Sequence, residues 1–321
     1  MKEIKDLTKV LLSNLDEIKE NSVNGKMFVA NYLFNYREFQ KDSTYEDELL
    51  EVIEIALDAE FSNIQNARLD FFTGITGLGW ALVKLVRNGF FESSNLMDIL
   101  NLVDSKVTAE TEVLCKSTII ERHDLLKLLG AISYFIERIG LSNAKTPCDL
   151  RISQYLSMAI HEVSGNLRNN DIEDFWVLQL RNLVIKECLD EGVLEHLGYE
   201  KIRLLKESLV QFDKKQISEY YFYFLENKQF LLALTVRVLL EEGHYKEIEE
   251  DKLFFDQIEN YARNIMIQMK DAQNVAQENL YELCLIACAS LKNMGQDDNE
   301  FLRYALGFRL CEPLFSEIRD N

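Results

Sequence analysis

An all-α fold of stacked helical hairpins is what this sequence predicts, on three observations. Two prolines and 13 glycines in 321 residues leave too few chain breakers for a strand-rich fold, which needs turn residues at short intervals. Apolar residues recur at i, i+3, i+4 and i+7 in segment after segment. Helices apolar on every side alternate with helices apolar on one stripe, as when each buried helix is covered by a neighbour that faces water.

The elements follow in order. Leu7, Val10, Leu11, Leu15 and Ile18 put a first amphipathic helix over residues 4–18. Residues 27–39 are nearly apolar all round, and Glu46–Phe61 returns to one stripe. A buried helix over 74–86 is followed by an amphipathic one over 97–107, a buried one over 125–139, an amphipathic one over 149–167, and another helix over 175–188. Residues 199–226 read less clearly; within them Tyr220-Tyr221-Phe222-Tyr223-Phe224 has strand propensity between helical neighbours. The alternation resumes with buried 230–240, amphipathic 251–269, buried 280–294 and a last helix from Asn299.

The buried elements begin near Gly25, Gly74, Lys127, Phe175, Asn227 and Glu282. That period of about fifty residues means stacked helical hairpins, forming either an open solenoid or a closed ring.

Residues 71–89, FFTGITGLGWALVKLVRNG, are the most informative stretch. Gly74, Gly77 and Gly79 run directly into Trp80-Ala81-Leu82, so they sit at the start of a helix. Glycine costs about 1 kcal/mol against alanine inside a helix, so several in one turn imply close backbone packing or an opening onto a cavity. A dinucleotide loop would need a preceding strand and a distant acid. Asp70-Phe71-Phe72-Thr73 is a poor strand.

Charge excludes some partners. A formal net charge of −19 disfavours nucleic acid, whose phosphates require clustered Lys and Arg, and disfavours an anionic membrane surface. It suits a soluble acidic protein, with a basic partner such as a cationic peptide as the other reading. The opening Met1-Lys2-Glu3-Ile4-Lys5-Asp6 lacks the apolar core of an export signal. The longest apolar stretch, closed by Lys84 and Arg87, is shorter than the ~20 residues that span a bilayer. Six cysteines are dispersed (Cys115, Cys148, Cys188, Cys284, Cys288, Cys311), which fits reduced thiols in the cytoplasm better than a disulfide framework.

GITGLGWAL with RNGFFE after it, NGKMFVANYLFNY followed by YEDELLEVI, and LLGAISYFIERIG resemble successive repeats of the lanthionine synthetase C-like (LanC-like) family. The resemblance is best over residues 1–140 and stays in phase to the end, as one domain over 1–321. It implies an α/α toroid with inner and outer helical rings. In active members a central zinc activates cysteine thiols of a ribosomal peptide for thioether ring formation.

Carried over position by position, the resemblance implies that this chain lacks that chemistry. The zinc-ligand Cys of the fifth repeat falls at Leu225, and the Cys-His pair of the sixth at Leu280-Tyr281. None offers thiolate, imidazole or carboxylate. The family's catalytic His falls near Trp176, and an acid of the third repeat falls close to His123-Asp124, the one partial match. The repeat glycines have thinned too: Gly25 is followed by Phe28, Lys127 precedes Gly130, and Asn227/Phe230 and Glu282/Leu285 close the series. The expectation is a degenerate member with no cofactor, binding a peptide or a peptide-modifying partner enzyme.

Other candidates have plainer readings. His123-Asp124 forms an acid/base pair only if both face one substrate; neighbours on a helix point about 100° apart, and Asp124 reads rather as a helix cap beside a surface histidine. Cys284 and Cys288 have metal-competent i, i+4 spacing, yet among Leu285, Ile286 and Ala287 they read as buried small hydrophobes; His161 or His244 would have to fold back to complete a site. A different, carboxylate-based enzyme would need two acids about 5–9.5 Å apart, among Asp70, Asp124, Glu226 and Glu282. A non-catalytic helical-repeat scaffold is the third reading.

Overall fold

Asn14 ends the first helix early. Its side-chain amide donates to the Val10 carbonyl at 2.8 Å, an alternative to helix propagation that asparagine offers its own backbone. Helix α1 therefore runs Lys2–Ser13 and a 3-10 turn follows over Leu15–Glu17, where one helix to residue 18 was expected. The computed structural model describes residues 2–209 apart from 41–44, 63, 118–119, 142–146, 167–174 and 191–198, together with Asn260 and Asn264. Among the described residues every regular element is helical, as the spacing predicts. The elements expected beyond residue 209, the aromatic run at 220–224 included, lie outside them.

The chain divides into two compact units, with Met1–Leu57 in one and Asp58–Gln211 in the other. In the first, α2 (Lys26–Gln40) is buried on nearly every side from Met27 to Phe34. Amphipathic α3 (Glu46–Phe61) buries Leu49, Val52, Ile53 and Ala56 and exposes Glu51 and Glu54. Thr8 and Tyr32 join α1 to α2 through their hydroxyls, 2.6 Å apart. Before α2 the loop folds back tightly: Lys26 Nζ donates to the Ile18 carbonyl, and a Cβ at Gly25 would lie 2.0 Å from the Glu20 carbonyl oxygen.

The second unit holds α4 (Ile75–Arg87), α5 (Ser93–Cys115), α6 (Arg122–Gly140), α7 (Pro147–Asn166), α8 (Phe175–Asp190) and α9 (Tyr199–Ser208). Helix α4 packs on α6 and α6 on α8; α5 packs on α7 and α7 on α9; the pairs α4–α5, α6–α7 and α8–α9 join the two rows. This is a two-layer stack of helical hairpins. The layers match the sequence pattern. Residues Ile75 to Val86 of α4 are all buried, as are 128–139 of α6. Helices α5 and α7 bury single stripes, Leu96, Leu100, Val103 and Val107 on one and Ile152, Leu156, Ala159, Ile160 and Val163 on the other.

The bounds of α5 differ from expectation for a physical reason, whereas α4 ends within one residue of it. Helix α5 extends well beyond the expected 97–107 because Asp104, Thr108 and Thr111 on its buried side interrupt the apolar pattern without interrupting the helix. Thr108 Oγ1 donates to the Asp104 carbonyl at 2.6 Å, and Asp104 finds its partners on α6. Helix α4 is stopped by Gly89, whose φ of +78° is left-handed and suits glycine. The Phe90 N–H reaches the Leu85 carbonyl at 2.9 Å and the Gly89 N–H the Val86 carbonyl at 3.0 Å, the paired bonds of a Schellman ending.

Candidate functional site

The entry to α4 is where the sequence concentrates its signals, and local chemistry explains its shape. Asp70 accepts a hydrogen bond from Thr73 Oγ1 at 2.8 Å and one from the Thr73 N–H, a turn that aspartate builds from its own side chain. Arg68 Nε lies 3.0 Å from the other Asp70 oxygen. The Arg68 carbonyl accepts from the Ile75 N–H at 2.9 Å, one of the orphan donors of a helix start. That carbonyl passes so close that a Cβ at Gly74 would sit 2.2 Å from it.

The glycines serve close packing. A Cβ at Gly79 would come within 2.7 Å of Val103 on α5 and 2.8 Å of the Tyr134 ring on α6, so Gly79 lets three helices meet. At Gly130 of α6 it would meet the Phe71 Cβ at 2.9 Å. Phe71 in turn packs edge-on against Trp80, with ring centroids 5.2 Å apart. Gly77 is buried within the same helix. Of the two expectations for these glycines, close packing is the one seen, against the Arg68 backbone at Gly74 and against side chains of α5 and α6 at Gly79.

His123 and Asp124, neighbours on one helix, meet through their side chains. His123 Nε2 lies 3.0 Å from Asp124 Oδ1 and its Nδ1 3.3 Å from Glu121 Oε2. Lys127 Nζ also reaches Asp124 Oδ1, at 3.2 Å. Asp124 is not the cap: α6 starts at Arg122 with Glu121 as its N-cap, and no side-chain cap bond forms. The His123 side chain is 49% exposed, so the cluster is an open surface group at the start of the helix. Of the acids named for carboxylate catalysis, Asp70 is bound by Thr73 and Arg68 and Asp124 by Lys127 and His123; Glu226 and Glu282 lie outside the described residues. So do Leu225, Leu280, Tyr281, Cys284, Cys288 and His244. His161 is exposed on α7.

What sequence reading missed is a pair of buried ion clusters on either side of α6. Glu137, 1% exposed, lies 2.7 Å from Lys84 Nζ and 2.5 Å from Arg87 Nη1, tying α6 to the last turn of α4. The next residue, Arg138, also 1% exposed, contacts Asp104 on α5 at 3.1 Å, and Tyr134 Oη donates to the same carboxylate at 2.6 Å. Adjacent residues on α6 thus bind opposite neighbours. The signal was present in sequence as single charges inside otherwise apolar runs, Lys84 in GWALVKLV and Glu137-Arg138 in SYFIERIG. A buried charge demands a partner to offset its desolvation.

The thiols in view are poor nucleophiles. Burial, with the charge of Glu162 adding to it, pushes the half-buried Cys115 thiol up to about 11; burial pushes the fully buried Cys188 thiol up as well. Among the described residues no group of three or more His, Cys, Asp or Glu is placed to hold a metal, and none of their helices is long and apolar enough to cross a membrane.

No family model, curated protein or solved structure matches this chain. Function therefore rests on the residues themselves. The residues at the zinc-ligand positions implied by the LanC-like resemblance, Leu225, Leu280 and Tyr281, do not fit zinc, which takes sulfur, imidazole or carboxylate ligands. No step through that metal can be derived for them.

Proposed function

We propose that this chain is a LanC-like α/α toroid protein without zinc cyclase chemistry, acting in the cytoplasm by binding a peptide, or a peptide-modifying enzyme, in ribosomal peptide maturation. The observation that carries the reading is the two-layer stack in which α4, α6 and α8 form one row and α5, α7 and α9 the other. It agrees with the fifty-residue period and with the motifs GITGLGWAL and LLGAISYF falling at the same stage of successive buried helices. Loss of the ligand set supports a binding role over thioether formation. The net charge of −19 favours basic segments as the bound species.

Two measurements on the purified full-length chain test it. Metal content by mass spectrometry is expected to be near zero, and about one zinc per chain overturns the degenerate reading. Fluorescence anisotropy with a labelled basic peptide rich in Cys, Ser and Thr is expected to saturate, and to weaken as salt rises. Equal or tighter binding of an acidic peptide of the same length, or no binding of either, rejects the peptide-binding role.

A further inference from the structure

Beside the buried pair of Asp104 and Arg138 lies a thioether. Arg138 is 1% exposed on α6 and is held by Asp104 of α5, through Nε at 3.2 Å and Nη2 at 3.1 Å. The same Nη2 donates to the sulfur of Met97, two turns before Asp104 on α5, at 3.7 Å. Thioether sulfur is a weak acceptor. Met97 is also 39% exposed, whereas Met27 on α2 is fully buried.

Exposure decides whether an oxidant reaches a methionine, and oxidation turns a flexible apolar side chain into a polar sulfoxide that reductases can restore. Such a change ordinarily disrupts packing. At Met97 it meets a donor already in place. The sulfoxide oxygen stands one bond out from sulfur, and a nitrogen-to-sulfur separation of 3.7 Å lets it sit off the line between them at an ordinary N–H···O distance of about 2.7–3.2 Å. The guanidinium is permanently charged, so the new hydrogen bond is of the stronger, charge-assisted kind. Asp104 fixes Arg138 before oxidation, so its planar fork is pre-organised for the oxygen.

We infer that Met97 is a redox-sensitive latch between α5 and α6: a peroxide oxidises its thioether, and the sulfoxide oxygen takes the Arg138 Nη2–H in place of the sulfur. A sulfur lone pair attacks one peroxide oxygen and the O–O bond breaks. The other oxygen leaves as hydroxide and takes the proton of the attacked oxygen, giving water; sulfur loses two electrons and the peroxide gains them. Oxidation here tightens the contact between α5 and α6. The latch is independent of the peptide-binding reading.

The test treats the full-length chain with hydrogen peroxide and follows each methionine by peptide mass spectrometry, with urea midpoints taken before and after. Met97 is expected to form sulfoxide roughly tenfold faster than Met27, or more. Met97→Leu, oxidised in parallel, supplies the background from the other methionines. Against it the oxidised unmodified chain is expected to gain on the order of 0.5 M in midpoint, the effect of one hydrogen bond to a charged group, and methionine sulfoxide reductases are expected to reverse the gain. A second comparison needs no oxidant. Leu and Gln have nearly equal helix propensity, and apolar burial alone ranks Met97→Leu above Met97→Gln, whereas an amide oxygen facing Arg138 ranks Met97→Gln higher. Slower oxidation of Met97 than of Met27, a midpoint level with or below the Met97→Leu background, or a Met97→Leu chain more stable than Met97→Gln overturns the latch.

Discussion

Tyr134 on α6 donates its hydroxyl to Asp104 on α5 at 2.6 Å, and the same tyrosine ring closes over Gly79 on α4 at 2.8 Å from where a Cβ would stand. One side chain thus supplies a polar tie to one neighbour and an apolar wall to another. Asp104 also holds Arg138, so the carboxylate matters more than the hydroxyl. Tyr134→Phe is expected to cost about 1.5–3 kcal/mol, the loss of a hydrogen bond to a charged group. Asp104→Ala, which strips the buried Arg138 of its carboxylate, is expected to cost about 3–5 kcal/mol. Urea midpoints at unchanged m-value measure both; equal costs would contradict this ranking.

Two glycines in the same helical hairpin separate packing from backbone conformation. Gly79→Ala gains up to about 1 kcal/mol of helix propensity, yet it drives a methyl into Val103 and Tyr134, and overpacking of this kind costs about 1–3 kcal/mol. Net destabilisation is expected. Gly89→Ala meets no atom within 4 Å and is expected to lose about 1 kcal/mol through its left-handed φ alone. A stabilised Gly79→Ala would refute the three-helix contact.

Glu137 faces two cations, Lys84 and Arg87. Glu137→Gln keeps the shape and removes the charge, and about 3–5 kcal/mol of stability is expected to go with it. Adding Lys84→Met to that variant is expected to restore part of the loss, because the buried ammonium would then be gone. Chemical denaturation of the single and double variants forms the cycle, and a further loss on adding Lys84→Met would argue that lysine packs for another reason.

The Cys115 thiol, raised to about 11 in the native chain from an ordinary 9.0, gives a signed pH dependence. The unfolded chain ionises this thiol first, so native stability is expected to fall as pH rises from 9 to 11. Cys115→Ala is expected to flatten that part of the profile. In native buffer near neutral pH, Cys115 and Cys188 are expected to react with a disulfide reagent far more slowly than in urea. Fast labelling of Cys188 without denaturant would show that its helix opens locally.

Helix type and order were legible from sequence because spacing and burial obey the same geometry: the amphipathic stripe of α3 and the all-round apolarity of α4 each state how many sides meet protein. Gly74 and Gly79 were legible as unusual, because glycine inside a helix costs stability and needs a reason. Which reason was not. Close approach and an open cavity leave the same letter in the sequence, and the neighbours of Gly79 come from α5 and α6, 24 and 55 residues further along the chain at Val103 and Tyr134.

The buried charges mark the same boundary. Sequence alone determined that the chain is acidic and helical, and it carried Lys84, Glu137 and Arg138 as charges inside apolar runs without saying what they meet. Tertiary structure alone decided that Glu137 turns to α4 and Arg138 to α5, that His123 touches Asp124, and that Arg181 reaches the Ser208 carbonyl. Periodicity is a property of the local backbone, repeated every few residues. A charge pair is made across elements, so its partner is fixed only when the helices pack.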